Sequence, residues 1–153
     1  MKRLALIFIV CGITNFWTSC SFSEKSQFTR NKPKDSDLFG IYKPDAKTQK
    51  LIVKQNDYPT ATNQIILCSD GRILFIDMLD WWKDAAGYHK QLASGNGIWE
   101  GSLDLDGKCW QIVSYPENFF HVPLHLVGQK PPYKIVLYDP DREQFMFFEN
   151  TKN

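Results

Sequence analysis

The residue types that could do chemistry in this chain are few, and their spacing mostly argues against it. His121 and His125 stand in a His-x-x-x-His array, a metal-binding spacing on a helix. Pro123 between them would break that helix. On a strand the pair would share a face but lie about 13 Å apart, at roughly 3.3 Å per residue, too far for one ion. Asp77, Asp80 and Asp84 surround Trp81 and Trp82, an acid-beside-aromatic grouping of the kind found where sugars are cleaved. Solvated loop acids give the same pattern. Asp139-Pro140-Asp141 offers turn chemistry and too few oxygen ligands for calcium. The chain has no Gly-x-Ser-x-Gly elbow, no His-Glu-x-x-His and no phosphate-binding glycine loop. The cysteines lack the close Cys/His clustering that zinc needs. No metal and no other cofactor is expected, and the chain is not read as an enzyme. The residue with the clearest chemistry is Cys20. It follows Lys2-Arg3, the apolar run Leu4 to Val10 and the small pair Thr18-Ser19, the order of a secretory signal that ends at a modifiable thiol.

That order resembles the signal and lipobox of bacterial lipoproteins. The resemblance implies cleavage before Cys20, lipidation of Cys20 with palmitate among its acyl chains, and residence in the bacterial cell envelope. Ser21 carries none of the aspartate signal that retains some lipoproteins in the inner membrane, which favours the outer membrane where the cell has one. Two alternatives stay open, an uncleaved membrane anchor and a secreted form without lipid. The first is opposed by Thr14 and Asn15, which leave the apolar stretch shorter than the roughly 20 residues of a spanning helix.

Composition bounds the rest. Of 153 residues, 1–19 read as signal peptide, 20–37 as the lipidated cysteine with a flexible polar tether, 38–149 as one β domain and 150–153 as a C-terminal tail. Loss of Lys2 and Arg3, the only charges of the signal, takes the formal charge from +1 to −1. Such a chain has no electrostatic footprint for nucleic acid and no polybasic stretch for an anionic bilayer. The membrane partner is therefore engaged through the N-terminal lipid. Cys11 leaves with the signal, so Cys68 and Cys109 are the one pair that a disulfide in the folded domain could join. Export makes that bridge possible, and buried free thiols are the alternative.

The elements that must position these residues are short strands. Residues 39–43, 51–54, 64–68, 72–78, 98–103, 108–115, 119–127, 133–138 and 144–149 give about nine runs separated by turn residues. Ser69-Asp70-Gly71 and Asp104-Leu105-Asp106-Gly107 supply the positive-φ positions of tight hairpins. The pattern predicts an all-β fold, an antiparallel up-and-down barrel or meander, with one helical or irregular insertion over residues 78–94. The opening Gly40-Ile41-Tyr42, the midway Gly97-Ile98-Trp99-Glu100 and the turn Asp139-Pro140-Asp141 before a closing aromatic strand resemble small bacterial lipoproteins with a lipocalin-like barrel. Many of those have no assigned activity, so the resemblance implies a fold and no catalytic residue.

Aromatic residues make up 14% of the chain, enough to fill a small barrel. Phe75, Trp99, Trp110, Phe145 and Phe147 lie in strand runs and read as core. Trp81, Trp82 and Tyr88 lie in the insertion, where they either plug one barrel end or form a rim for a ligand or partner. The resulting expectation is a non-enzymatic binding or envelope-structural module for a small apolar ligand or an envelope protein. A cell-surface enzyme inhibitor or small hydrolase is the alternative.

Overall fold

Asp-Gly turns and alternating apolar residues build a closed antiparallel barrel. In the computed structural model, residues 27–56, 62–79, 92–117, 121–139 and 144–151 are described. The elements run α1 (Asp35–Leu38), β1 (Gly40–Pro44), α2 (Ala46–Asn56), β2 (Gln64–Leu67), β3 (Arg72–Leu79), β4 (Leu92–Leu103), β5 (Trp110–Pro116), β6 (Val122–Val127), β7 (Lys134–Asp139) and β8 (Gln144–Asn150). Each strand pairs with the next, and β8 returns to β1 through Tyr42↔Asn150, Lys43↔Glu149 and Pro44↔Phe148. Closure leaves no sheet-long free edge. Gly71 and Gly107 adopt φ of +84° and +67° at their hairpins, as the Asp-Gly signals require.

Alternation decides what fills the barrel. Ile65, Leu67, Ile73, Phe75, Ile112, Leu124, Leu126, Ile135 and Phe148 point inward and are essentially inaccessible. An eight-stranded barrel is just wide enough for such side chains to fill. Phe145 and Phe147, read as core from the sequence, are only half-buried; Met146 and Phe148 are the inward pair of β8. The strand has period 2, and the sequence does not say which parity faces in. Tyr42 lies fully inside, and its hydroxyl donates to the Leu38 carbonyl at 2.8 Å, fixing α1 over one barrel end. Burial pushes the Tyr42 phenol up to about 12, against a smaller opposing effect of Asn150.

The strand count and three boundaries differ from the sequence expectation. The barrel has eight strands where about nine were expected, because the run Leu51 to Lys54 is helical. Asp45 caps α2, accepting the Thr48 N–H on Oδ1 at 2.7 Å and the Gln49 N–H on its carbonyl at 2.8 Å. Thr48 and Ile52, one turn apart, are both buried, and Thr48 Oγ1 accepts the Phe147 N–H at 2.9 Å.

The second half of the expected tether belongs to the domain. Thr29 is fully buried, donates its N–H to Leu126 at 2.9 Å and accepts from Trp110 at 2.7 Å. It thereby bridges β6 and β5 where they part. Phe28 forms an antiparallel bridge with Val127. At the other terminus Asn150 is the last residue of β8, and Thr151 donates its N–H to Ile41 at 2.8 Å.

The insertion narrows as well, since β3 runs to Leu79 and β4 begins at Leu92. β3 carries a bulge between Phe75 and Met78, where Asp77 takes φ +48°. Ser94 Oγ accepts the Asp77 N–H at 3.0 Å, while Thr62 Oγ1 and Asn63 Nδ2 donate to the Asp77 carboxylate and carbonyl. Among the described residues no helix is long and apolar enough to cross a membrane.

Candidate functional site

The strands end at different heights on the side of the barrel capped by α1. β3 pairs with β4 only as far as Arg72↔Ile98, whereas β4 and β5 stay paired to Leu103↔Trp110. The hairpin beyond Ile98 therefore stands clear of β3. The N-terminal arm, residues 27–34, and α1 lean toward it. Lys32 Nζ lies 5.6 Å above the Trp110 ring, a cation–π contact. Phe39 meets Trp99 edge-on at 6.0 Å and 71°. Between arm and hairpin lies a pocket of about 300 Å³, walled by Phe39, Trp99 and Trp110, with Lys32, Asp35 and Glu100 also in its lining.

Each wall is held in place. Trp99 Nε1 donates to the Cys68 carbonyl at 3.2 Å and its backbone N–H to Gly71 at 2.8 Å. Tyr115 Oη donates to Glu100 Oε1 at 2.8 Å, and the carboxylate raises the Tyr115 phenol above its ordinary range. The pocket offers aromatic faces, one ammonium and two carboxylates. Its lining has no histidine or cysteine among the described residues. Aromatic faces beside charged groups suit an apolar group with a polar edge.

The sequence-derived candidates are scattered. Cys20, Asp80, Trp81, Trp82, Asp84 and Tyr88 lie outside the described residues. Asp77 is engaged by Thr62 and Ser94 in the bulge. Cys68 and Cys109, expected as a possible disulfide, are two unbonded, half-buried thiols in adjacent hairpins. Burial pushes the Cys109 thiol up, and Asp104 adds to it. Among the described residues no three His, Cys, Asp or Glu side chains converge as metal ligands.

His121 is exposed, 6.5 Å from the Tyr115 ring. His125 is half-buried, because Phe28 of the arm stacks on it at 5.6 Å and 29°. Burial holds the His125 imidazole below its ordinary value of 6.5, against a smaller opposing pull from Asp104. The unfolded chain thus takes up a proton near pH 6.5 that the folded chain refuses, so stability falls as pH drops through that value. The Tm of His125→Gln should therefore fall less between pH 7.5 and pH 5.5 than that of the wild type. Parallel Tm profiles for the two proteins would refute this.

Trp99 is buried in the core, as the sequence reading has it, and Trp110 packs half-buried against it; that both also wall a pocket is what sequence reasoning missed. A usable signal existed, since the Asp-Gly turn fixes Leu103 opposite Trp110 and so places both tryptophans on one face of the hairpin. The arm that makes this face a pocket had no such signal. Comparison of the chain with protein-family models, curated proteins and solved structures finds no match.

Proposed function

We propose that this protein is an exported, lipid-anchored, non-enzymatic binding module of the bacterial envelope. Its barrel is the scaffold, and the pocket between arm and hairpin seats an apolar side chain of an envelope protein. The observation that carries the reading is where the space lies. The barrel interior is occupied by its own side chains, Tyr42, Phe75 and Phe148 the largest among them, whereas the aromatic pocket lies between arm and hairpin. A pocket lined by tryptophan and rimmed by charge is typical of the anchor sites that dominate protein interfaces. A small apolar ligand is the second occupant, because about 300 Å³ is at the lower end of ligand-site volumes.

Trp110→Ala tests the reading. Trp110 is only partly buried, so its loss should lower the Tm by a few degrees. Partner recovery by cross-linking in intact envelopes should fall at least 10-fold, the order of a hot-spot truncation. Cross-linking unchanged by the substitution, or no cross-linked envelope protein and no retained ligand by native mass spectrometry, would sink the proposal.

A further inference from the structure

The ladder parity of β4 identifies backbone groups with no strand to pair with. Asp104 N–H donates to Cys109 O at 2.8 Å, across the hairpin, whereas Trp99 N–H donates away from β5 to Gly71 O at 2.8 Å. Backbone groups alternate sides along an antiparallel strand. Glu100 and Ser102 therefore bond to β5, and Gly101 and Leu103 share the side of Trp99. On that side β3 has already ended. The Leu103 carbonyl is engaged by Gln111 Nε2 at 3.4 Å. The Gly101 N–H and C=O and the Leu103 N–H have no partner among the described residues.

Three further observations give this edge a direction. Trp99, Glu100 and Gly101 line the aromatic pocket, so edge and pocket are continuous. A Cβ on Gly101 would meet nothing within 4 Å, so the sheet face is open at this position beside the pocket. Along the edge Leu103 is 43% and Leu105 fully exposed, and Lys32 and Pro33 of the arm line the pocket together with Gly101.

We infer that β4 accepts an extended segment of a partner protein by strand addition along Gly101–Leu103, with an alternate side chain of that segment inserted between Phe39, Trp99 and Trp110. Main-chain bonds supply affinity in this mode, and pockets for alternate side chains supply specificity. The inference rests on the protein-binding reading above and specifies how the partner is held. A large apolar or aromatic side chain fits the pocket, and its two neighbours point to solvent. A second copy of this chain paired edge to edge is the competing occupant, and the test separates the two.

The test uses the full chain in detergent micelles and random dodecapeptides displayed on phage as the probe. Selected peptides should carry one large apolar residue. Single N-methylation of their amides should weaken binding at least 10-fold at every second position and leave the intervening positions within 2-fold. Gly101→Pro should weaken binding at least 10-fold while shifting the Tm by only a few degrees, because proline is tolerated where an N–H faces away from the ladder. The N-methyl series is read on the wild-type protein and decides the matter even if that variant misfolds. No selected peptide, or N-methyl effects without a two-residue period, overturns strand addition. So does a wild-type dimer that Gly101→Pro makes monomeric, which assigns the edge to a second copy. Peptides that bind without that period, but less well to Trp110→Ala, leave the protein-binding reading standing and remove strand addition alone.

Discussion

Gly97→Ala should lower the melting temperature by roughly 10 °C, although it adds a single methyl group. An ideal Cβ at this position would lie 2.4 Å from the Tyr115 carbonyl oxygen and 2.7 Å from Pro116 Cα. Both are backbone atoms of β5, so no side-chain rotation relieves the clash, and the two strands must separate at the Gly97↔Pro116 pair. Two residues along the same face lies Trp99, whose ring contacts Phe39 and the Cys68 carbonyl, so strand separation also disturbs the base of the pocket. Overpacking of this kind costs about 1–3 kcal/mol, and each kcal/mol moves the Tm of a domain this size by about 3–5 °C. Gly101→Ala is the matched control on the same strand. Its Cβ would meet nothing within 4 Å, so its effect should stay within about 0.5 kcal/mol. Thermal unfolding followed by circular dichroism measures both. Equal stability of the two variants would mean that close strand approach is not the role of Gly97.

The same pair of glycines illustrates what the sequence expresses and what it withholds. Gly71 and Gly107 follow aspartates between apolar runs, and this local chemistry predicts their hairpins, which the structure contains. Gly97 and Gly101 sit inside one strand with no local mark to distinguish them. Their difference is tertiary, since one faces the backbone of β5 and the other faces open space. Helix α2 escaped for a related reason. Leu51-Ile52-Val53 is a short apolar run that suits a strand or a buried helix face equally. The deciding feature was the cap at Asp45, six residues upstream, with Thr48 as the polar end of the buried stripe.

The arm was the larger omission. Residues 21–37 are polar and contain Pro33, the composition of a tether. Thr29 nevertheless reaches full burial because two strands diverge beside it and leave the Leu126 carbonyl and Trp110 N–H to be satisfied. Nothing in the residue types of the arm announces that demand, which is created by the barrel. The candidate pocket inherits the same limitation. Its tryptophans could be placed on one face from the turn register, but its second wall exists only because the arm docks.

Cys20→Ala should move the protein from the membrane to the soluble fraction almost completely, or leave it as an unprocessed precursor. The docked arm sharpens this expectation. The Gln27 carbonyl accepts the Gly128 N–H at 2.9 Å, so the chain is docked on the barrel by Gln27, only seven residues after Cys20. A fully extended chain over that interval spans at most about 25 Å. The lipid would therefore hold the barrel within that distance of the bilayer, closer than a tether running to residue 37 would allow. Without the lipid there is little to replace it. The formal charge after signal removal is −1 and the chain has no polybasic stretch. Stable anchoring is a property of two or more acyl chains. The role proposed for Cys20 is lipid attachment and not folding, so the variant's thermal unfolding should match that of the wild type. Detergent-phase partitioning and mass spectrometry of the N-terminal peptide read the two consequences separately. Unchanged partitioning of Cys20→Ala would refute the lipid anchor, and a wild-type N-terminal peptide that retains residues 1–19 would favour the uncleaved membrane anchor instead.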